Sequence, residues 1–324
     1  MRRALRRWGQ YALVLWVALT LNFLLPRLAP GDPIDYVLGE SARLSVSDLQ
    51  RLRSEYGLEG SLLEQYADYW ARLASGELGM SVRFGEPVAG VLADRVPWTV
   101  LLVGVGTLAS ALLATLAGAV AAWRRGGRRD IGLVTGLLTL DAMPGFWIGM
   151  LLISVFAVEL DWLPSFGAAP LVAASRSEWL LEVARRLVLP VTTLVLATLG
   201  GTFLLARGAM LSTLDEGYVR MARAKGAPER RVVVRHALRT ALLPIYTNVA
   251  LSFGALLSGA VVVETVFAYP GLGRLLFEGV LARDYPLLQG AFVLVTLGVV
   301  GANLVADLTY PLLDPRVRDS GARQ

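Results

Sequence analysis

A basic stretch near the middle of the chain, EGYVRMARAKGAPERR at residues 216–231, holds side chains suited to contact another molecule. It contains no acid pair, no nucleophile beside a base and no cluster of metal ligands. The whole chain has no Cys and a single His, His236, which disfavours thiolate chemistry and His-based metal or Ser–His sites. A GxxxxGK[ST] phosphate loop is also missing, because the sole Lys, Lys225, follows ARA.

The composition places most of the chain in a membrane. Hydrophobic residues make up 55% of the sequence and charged residues 18%, whereas charged residues approach about 25% in soluble domains. The formal net charge of +5 is better explained by cytoplasmic loops that face anionic lipid than by nucleic acid.

Six windows are long and apolar enough to cross the hydrocarbon core, which needs about 20 residues. The first has a longer apolar region than a signal peptide and no small-residue cleavage site, so we interpret it as a retained span. The windows are approximately 8–28, 98–123, 131–160, 187–206, 242–266 and 287–310.

The distribution of Arg and Lys predicts the orientation of these six spans. With a cytoplasmic N-terminus, the inner segments carry 19 of these residues and the two short outer loops carry 5. Cytoplasmic loops are enriched in positive charge. We therefore predict an all-α membrane protein with six transmembrane helices and both termini in the cytoplasm.

The segment between the first two spans, residues 30–97, is then external. It contains eleven acids and six Arg and is long enough to form a small cap. Two short helices are predicted, at 45–57 and at 61–76; the second begins with a capping box, Ser61 with Glu64, and ends at Gly76. The cap either docks an external partner or simply connects the ends of the spans.

Several polar side chains lie within or at the ends of spans, where charge is costly and tends to face protein or water. Asp141 is followed by the helix breaker Pro144, which suits either a bent, pathway-lining helix or a hydrogen-bonded kink in a packed bundle. Glu264 and Asp307 fall near the predicted interfaces, where hydration is cheap. The full set is Asn22, Asp141, Asn248, Glu264, Asn303 and Asp307.

On this topology the opening stretch belongs to the largest cytoplasmic loop, residues 211–241. It is predicted to form a helix with Asp215 and Glu216 in its first turn, a turn at Gly226, and a second helix with Pro228 in its first turn. The loop either contacts a cytoplasmic protein or lies on anionic lipid as an amphipathic helix.

Four stretches together resemble the membrane subunits of bacterial ATP-binding-cassette importers, in the peptide- and nickel-transporter branch. The first of them, YVRMARAKG followed by RRVVVRHALRTALLP, resembles the EAA loop of that family. The resemblance covers about residues 1–318, although Arg220 replaces the Glu that names the motif in sugar importers. The other three are LAPGDPIDYVLG, the region around DAMPGFWIGMLL, and VVVETVFAYPGLGRLLFEGVLARDYPLLQG with a terminal LLDPRVR.

This resemblance implies a type I importer permease in the bacterial inner membrane, a passive subunit that lacks cofactors and metals and is not an enzyme. It implies a tail and first span (1–29), an external cap (30–97) and a permease core (98–324) with the coupling loop 211–241. Asp141, Pro144 and Asn248 are possible pathway residues. The residues implied to couple the chain to an ATPase are Tyr218, Arg220, Met221, Ala222, Arg223, Lys225 and Gly226.

The implied partners are a second, homologous permease subunit, two cytoplasmic ATPase subunits or domains, and an external substrate-binding protein that docks on the cap and on residues 269–286. Peptides are the expected cargo, with nickel or another small solute as the alternative. An ion-coupled carrier is disfavoured because no inverted repeat is evident. A membrane-bound enzyme is disfavoured because no Ser-Lys, Asp-Asp or His-metal set appears at membrane depth.

Overall fold

The computed structural model describes residues 2–28 and 60–313. Regular structure within these residues is helical, apart from an isolated bridge between Met80 and Pro87. The helices are α1 (Arg2–Leu28), α2 (Leu62–Ser75), α3 (Val88–Trp123), α4 (Arg128–Asp141), α5 (Gly145–Leu152) with a π-helical continuation (Ile153–Glu159), α6 (Arg176–Leu214), α7 (Gly217–Ala224), α8 (Glu229–Arg231) with a π-helical continuation (Val232–Ala237), α9 (Leu238–Gly259), α10 (Val261–Val266), α11 (Leu272–Leu281) and α12 (Tyr285–Leu313).

All six apolar windows predicted from the sequence fall on helices. By length and composition, three described helices can cross a bilayer, namely α3, α6 and the Tyr285–Val305 part of α12, and the bent pair α4–α5 with its π-helical continuation would be a fourth. The first window falls on α1, whose described apolar part is the shorter Gly9–Leu24. The fifth falls on α9 and α10. The predicted all-α membrane fold is confirmed.

The chain divides into two compact units, the first formed by residues 1–98 and 270–300. The core of this unit packs the start of α3 against α11 and the start of α12. Gly290 permits close packing, since a Cβ there would lie 2.5 Å from Cγ1 of Val88. The buried core residues are Val88, Val91, Leu92, Leu272, Leu275, Leu276, Leu287, Leu288 and Ala291.

Helix α2, in the first unit, begins and ends as the sequence predicts. The backbone NH of Ser61 donates to Oε2 of Glu64 at 2.7 Å, and the NH of Glu64 donates to Oγ of Ser61 at 3.4 Å. The hydrogen bonds that the backbone NH and the hydroxyl of Ser61 donate to this carboxylate hold the pKa of Glu64 below its usual value. Gly76 ends the helix with a left-handed φ of 79°. The other predicted cap helix, at 45–57, lies outside the described residues.

The second unit consists of residues 99–269 and 301–324, and its α4, α5 and α9 pack along α6. Small residues allow close approach of helices in membranes. At Gly118 of α3, a Cβ would lie 2.8 Å from both Cβ of Ala206 and the backbone nitrogen of Arg207. The backbones of α3 and α6 therefore touch at this level.

One expectation about the polar residues is wrong. Glu264 was expected to be hydrated near the interface, but it is fully buried in the second unit, and its Oε1 accepts a hydrogen bond of 2.7 Å from the hydroxyl of Thr99. A carboxylate at this position is shielded by protein because α10 packs against α5 and α6. The side chain of Asp307 lies outside the described residues.

Candidate functional site

The central basic stretch forms a helix, a turn and a second helix, which we call the elbow (residues 215–231). Its helix α7 is anchored by a single fully buried side chain, Val219. Val219 belongs to an apolar cluster together with Ala122, Met210, Leu214, Val232, Val233, Ala237 and Ala241. Because these residues come from α3, α6, the π-helical segment and α9, the position of the elbow is set by the helices around it.

The opposite side of α7 is open to solvent. The exposed fraction is 60% for Met221 and 37% for Tyr218, and Arg220 and Lys225 are also exposed. Ala222 is half-buried and packs against the apolar cluster. The elbow therefore presents an exposed apolar side chain flanked by cations, on a helix whose other side packs against the apolar cluster.

The turn of the elbow has the geometry that the sequence predicts. Gly226 adopts a left-handed φ of 78°, and its NH donates to the carbonyl of Arg223 at 2.9 Å. The next residue, Ala227, donates its NH to the carbonyl of Ala222 at 3.2 Å. Nε of Arg223 donates to Oε1 of Glu229 at 2.8 Å, which joins the two arms. Arg223 therefore forms an ion pair within the elbow itself.

Tyr218 connects the elbow to the following span. Its hydroxyl donates to Oγ1 of Thr240 at 2.9 Å and lies 3.4 Å from the carbonyl of His236. His236 lies in the π-helical segment Val232–Ala237, which separates α8 from α9. Single π-helical turns occur frequently at functional sites, so this segment is part of the candidate site.

The sequence placed three residues incorrectly. Asp215 and Glu216 were expected in the first turn of the elbow helix, whereas Asp215 is the C-cap residue of α6 and Glu216 the N-cap residue of α7, with no capping hydrogen bond from its side chain. The reason is that α6 continues through Leu214, two turns beyond its apolar window. Pro228 likewise precedes the first turn of α8 as its N-cap residue.

The predicted pathway residues are separate from the elbow. Asp141 is the last residue of α4 and Pro144 precedes α5, and these two helical segments meet at 95°. The sequence predicted a bend at this place, and the structure shows a complete break. Asn248 is half-buried on α9. Among the described residues, no group of His, Asp or Glu has the arrangement of a metal site.

One interaction beside the elbow was not anticipated from the sequence. Arg207, near the end of α6, donates to both carboxylate oxygens of Asp130, in the first turn of α4. The loop before α4 adds a third bond, from the NH of Gly126 to Oδ2 of Asp130 at 2.9 Å. From the sequence, the Arg residues near 124–129 and Arg207 indicated only the orientation of the spans in the membrane. No local sequence pattern links positions 130 and 207.

A groove in the first unit, on the side predicted to be external, is lined by α1, α2, the loop after α2 and the start of α12. Its empty volume, including the part that is open solvent, is about 620 Å³, and its lining carries both signs of charge, with Arg27 and Arg72 near Asp68 and Glu77. Nε of Arg27 donates to Oε1 of Gln65 at 3.0 Å. This mixed-charge surface is suited to a polar partner.

Comparison with known proteins identifies the family. Residues 114–319 match the family described as binding-protein-dependent transport system inner membrane component. The chain is 37% identical to a di/tripeptide transport system permease protein, DppB, of Pseudomonas aeruginosa, over 97% of each chain. It is 35% identical to an oligopeptide transport system permease protein, AppB, of Bacillus subtilis, over 92% of this chain and 93% of that protein.

A solved structure has a similar fold at low sequence identity. It is an inward-facing form of the MetNI methionine ABC transporter, with a TM-score of 0.57 and 15% identity, and the match covers 69% of this chain and 96% of that chain. At this identity the likeness concerns the fold alone. The family match and the curated relatives identify the chain as a multi-pass bacterial inner membrane protein, and the chain belongs to the binding-protein-dependent transport system inner membrane components.

Proposed function

We propose that this chain forms half of the translocation pathway for peptides in an ATP-driven importer. The observation that carries the proposal is the elbow, where Val219 anchors α7 while Met221 and its basic neighbours remain exposed. A helix that is packed against the apolar cluster on one side and exposed on the other can transmit the displacement of a bound protein to the membrane helices. We propose that the elbow binds in a groove on a cytoplasmic ATPase subunit, which performs the hydrolysis.

The peptide cargo is supported by the relatives, which are named di/tripeptide and oligopeptide permeases. Nickel or another small solute, carried by the same permease mechanism, is the alternative. The assembly that we propose contains a second, homologous permease, two ATPase subunits or domains, and an external binding protein. We assign the docking of that protein to the segments 30–97 and 269–286, which supply most of the residues that line the mixed-charge groove.

The mechanism that we propose is alternating access. Closure of the ATPase subunits displaces the elbow, and the displacement reaches α6 through the cluster around Val219 and reaches α9 through Tyr218 and Thr240. The outward-open and inward-open states must differ by only a few kcal/mol for nucleotide binding to switch them. We assign Asp141, Pro144 and Asn248 to the pathway. They belong to a permease core at 98–324, which follows the tail and first span at 1–29 and the external cap at 30–97.

The experiment compares variants of the elbow with a matched control in the complete transporter, co-purified and reconstituted in liposomes. Met221→Glu and Arg220→Glu change exposed side chains on the contact surface. Arg129→Glu makes the same charge change as Arg220→Glu at an exposed position in the first turn of α4. We expect the elbow variants to retain about a tenth or less of the wild-type co-purified ATPase and peptide uptake, as for an interface hot spot.

Arg129→Glu should leave both quantities near the wild-type level. Equal behaviour of all three variants would contradict the proposal. Peptide uptake by this chain without an ATPase partner would instead support a self-sufficient carrier. Undiminished ATPase binding with reduced adhesion to anionic liposomes would identify the elbow as a lipid-binding helix.

A further inference from the structure

The third predicted span is broken at membrane depth. Helix α4 ends at Asp141 and α5 begins at Gly145, and the two segments are bent by 95°. Residues 142–144 between them are not helical. Asp141, Ala142 and Pro144 are all exposed in the chain.

Irregular backbone at membrane depth is tolerated where it is buried in protein or lines a water-filled cavity, because lipid cannot satisfy its polar groups. A carboxylate at the same place adds to this constraint, since a charge at mid-bilayer costs about 3 kcal/mol on insertion scales. The exposed surface around Asp141 therefore faces the pathway or another subunit rather than acyl chains.

The carboxylate of Asp141 is held in place by α6. The NH of Gly201 donates to its Oδ1 at 3.3 Å. Gly200 permits this approach, since a Cβ there would lie 2.5 Å from Cβ of Asp141 and 2.8 Å from the carbonyl of Leu137. The contact lies six residues before Arg207, or about 9 Å along α6, which places it in the inner half of the predicted span.

The local electrostatics favour a cation at this carboxylate. No Arg, Lys or His among the described residues forms an ion pair with Asp141. Asp141 also ends α4, where the helix dipole is negative and favours positive charge. Small neighbours, Ala142 and Gly201, leave room beside the carboxylate for a ligand.

We infer that Asp141 binds the protonated α-amino group of the peptide cargo inside the pathway. The inference rests on the proposed function, because it requires peptides to pass along this surface. A primary ammonium donates charge-assisted hydrogen bonds to a carboxylate, and these are about twice as strong as neutral ones. Broken helices near the middle of a transporter are a recurrent framework for such sites.

The first test measures uptake and ATPase activity of the complete reconstituted transporter with Asp141→Asn, Asp141→Glu and Asp161→Asn. Asp161 is an exposed acid beyond the external end of the same span, and its φ of 51° suits Asn as well as Asp. We expect Asp141→Asn to lower uptake about tenfold or more, with Asp141→Glu retaining more, while ATPase stimulation by the binding protein persists. Asp161→Asn should resemble the wild type.

The second test is a zero-length cross-link on the wild-type transporter arrested with vanadate. A carbodiimide activates a carboxyl group, an amine in contact attacks it, and an amide forms as urea leaves. With an isotope-labelled tripeptide, mass spectrometry should find the peptide joined to Asp141. A competing tripeptide with a dimethylated amino terminus, which keeps its charge and one N–H but cannot form a stable amide, should suppress the adduct, whereas its N-acetylated form should not.

Three outcomes would overturn the inference. They are wild-type uptake by Asp141→Asn, the absence of an Asp141 adduct, and an adduct between Asp141 and the second permease instead of the peptide. If Asp141→Asn prevents assembly of the transporter, the cross-linking result on the wild type alone tests the inference. A wild-type transporter without ATP-driven peptide uptake would refute the proposed function, whereas normal uptake with a neutral Asp141→Asn refutes only this inference.

Discussion

Arg207 and Asp130 form a bidentate ion pair, with Nε donating to Oδ1 at 2.7 Å and Nη2 donating to Oδ2 at 2.8 Å. The Asp130 side chain is 4% exposed and that of Arg207 is 24% exposed. The pair joins the start of α4 to the part of α6 that leads into the elbow. Movement of the elbow should therefore reach the broken span through this contact.

Removing one partner should destabilise the second unit strongly. Asp130→Asn leaves Arg207 without its anion, and loss of one member of a buried pair costs about 3 kcal/mol. We expect a lower midpoint of thermal unfolding for the purified transporter, measured by intrinsic Trp fluorescence. Glu159→Gln, which neutralises an exposed acid on the π-helical segment after α5, should leave the midpoint unchanged.

The exchange variant Asp130→Arg with Arg207→Asp distinguishes a specific pair from general loss of charge. It should recover part of the lost midpoint, because the two opposite charges face each other again. A midpoint as low as that of Arg207→Asp alone would show that the surrounding backbone, and not the pair, sets the stability of this region.

Variants of Val219 and Met221, which lie on opposite sides of α7, should distinguish anchoring of the elbow from binding of the ATPase. Val219→Ala removes two buried methyl groups and should destabilise the elbow by about 2 kcal/mol. Met221→Ala removes exposed surface, so it should weaken ATPase association without loosening the elbow. Amide hydrogen exchange of residues 217–231 checks the first effect, and co-purification of the ATPase checks the second. Equal exchange in the two variants would contradict this division.

Gly226 and Gly217 provide a matched pair within the elbow. A Cβ meets nothing within 4 Å at either position, but only Gly226 has a positive φ, of 78°. Gly226→Ala should therefore weaken the elbow by about 1 kcal/mol through backbone strain alone, and Gly226→Asn by less. Gly217→Ala should be neutral or slightly stabilising, because Ala favours helix. Hydrogen exchange of the elbow measures all three variants.

Gly200 and Gly201 are adjacent and should respond in opposite ways. Ala at Gly200 would meet Asp141 and the carbonyl of Leu137 at 2.8 Å or less, whereas Ala at Gly201 would meet nothing within 4 Å. Gly200→Ala should lower the free energy of unfolding by about 2 kcal/mol through overpacking, and the unfolding midpoint should fall accordingly. It should also reduce peptide uptake. Gly201→Ala should leave the unfolding midpoint unchanged. Similar midpoints for both variants would contradict the close approach of α4 to α6 at Gly200.

Features governed by local rules were predictable from the sequence. The capping box at Ser61 and Glu64, the stop at Gly76 and the left-handed turn at Gly226 depend on a few neighbouring residues, and all three are confirmed. The elbow was also predicted as a helix, a turn and a helix. Its boundaries shifted because α6 extends beyond the apolar window that was used to define the fourth span.

Features that depend on distant partners were not predictable. Nothing near Asp284 in the sequence indicates that its Oδ2 accepts a hydrogen bond of 2.5 Å from the hydroxyl of Ser81. The same holds for Asp130 with Arg207 and for Thr99 with Glu264. Pro144 indicated a bend, but the angle of 95° depends on how α4 and α5 each pack against α6, which a single span does not encode.

The π-helical segment between the elbow and α9 has an evolutionary consequence. A π-helical turn accommodates one more residue than an α-helical turn, and each residue of an α-helix corresponds to a rotation of about 100°. Losing one residue between Val232 and Ala237 would restore α-helical register and swing Tyr218 away from Thr240. Natural selection should therefore tolerate length variation far less in this segment than in the loop between the third and fourth spans.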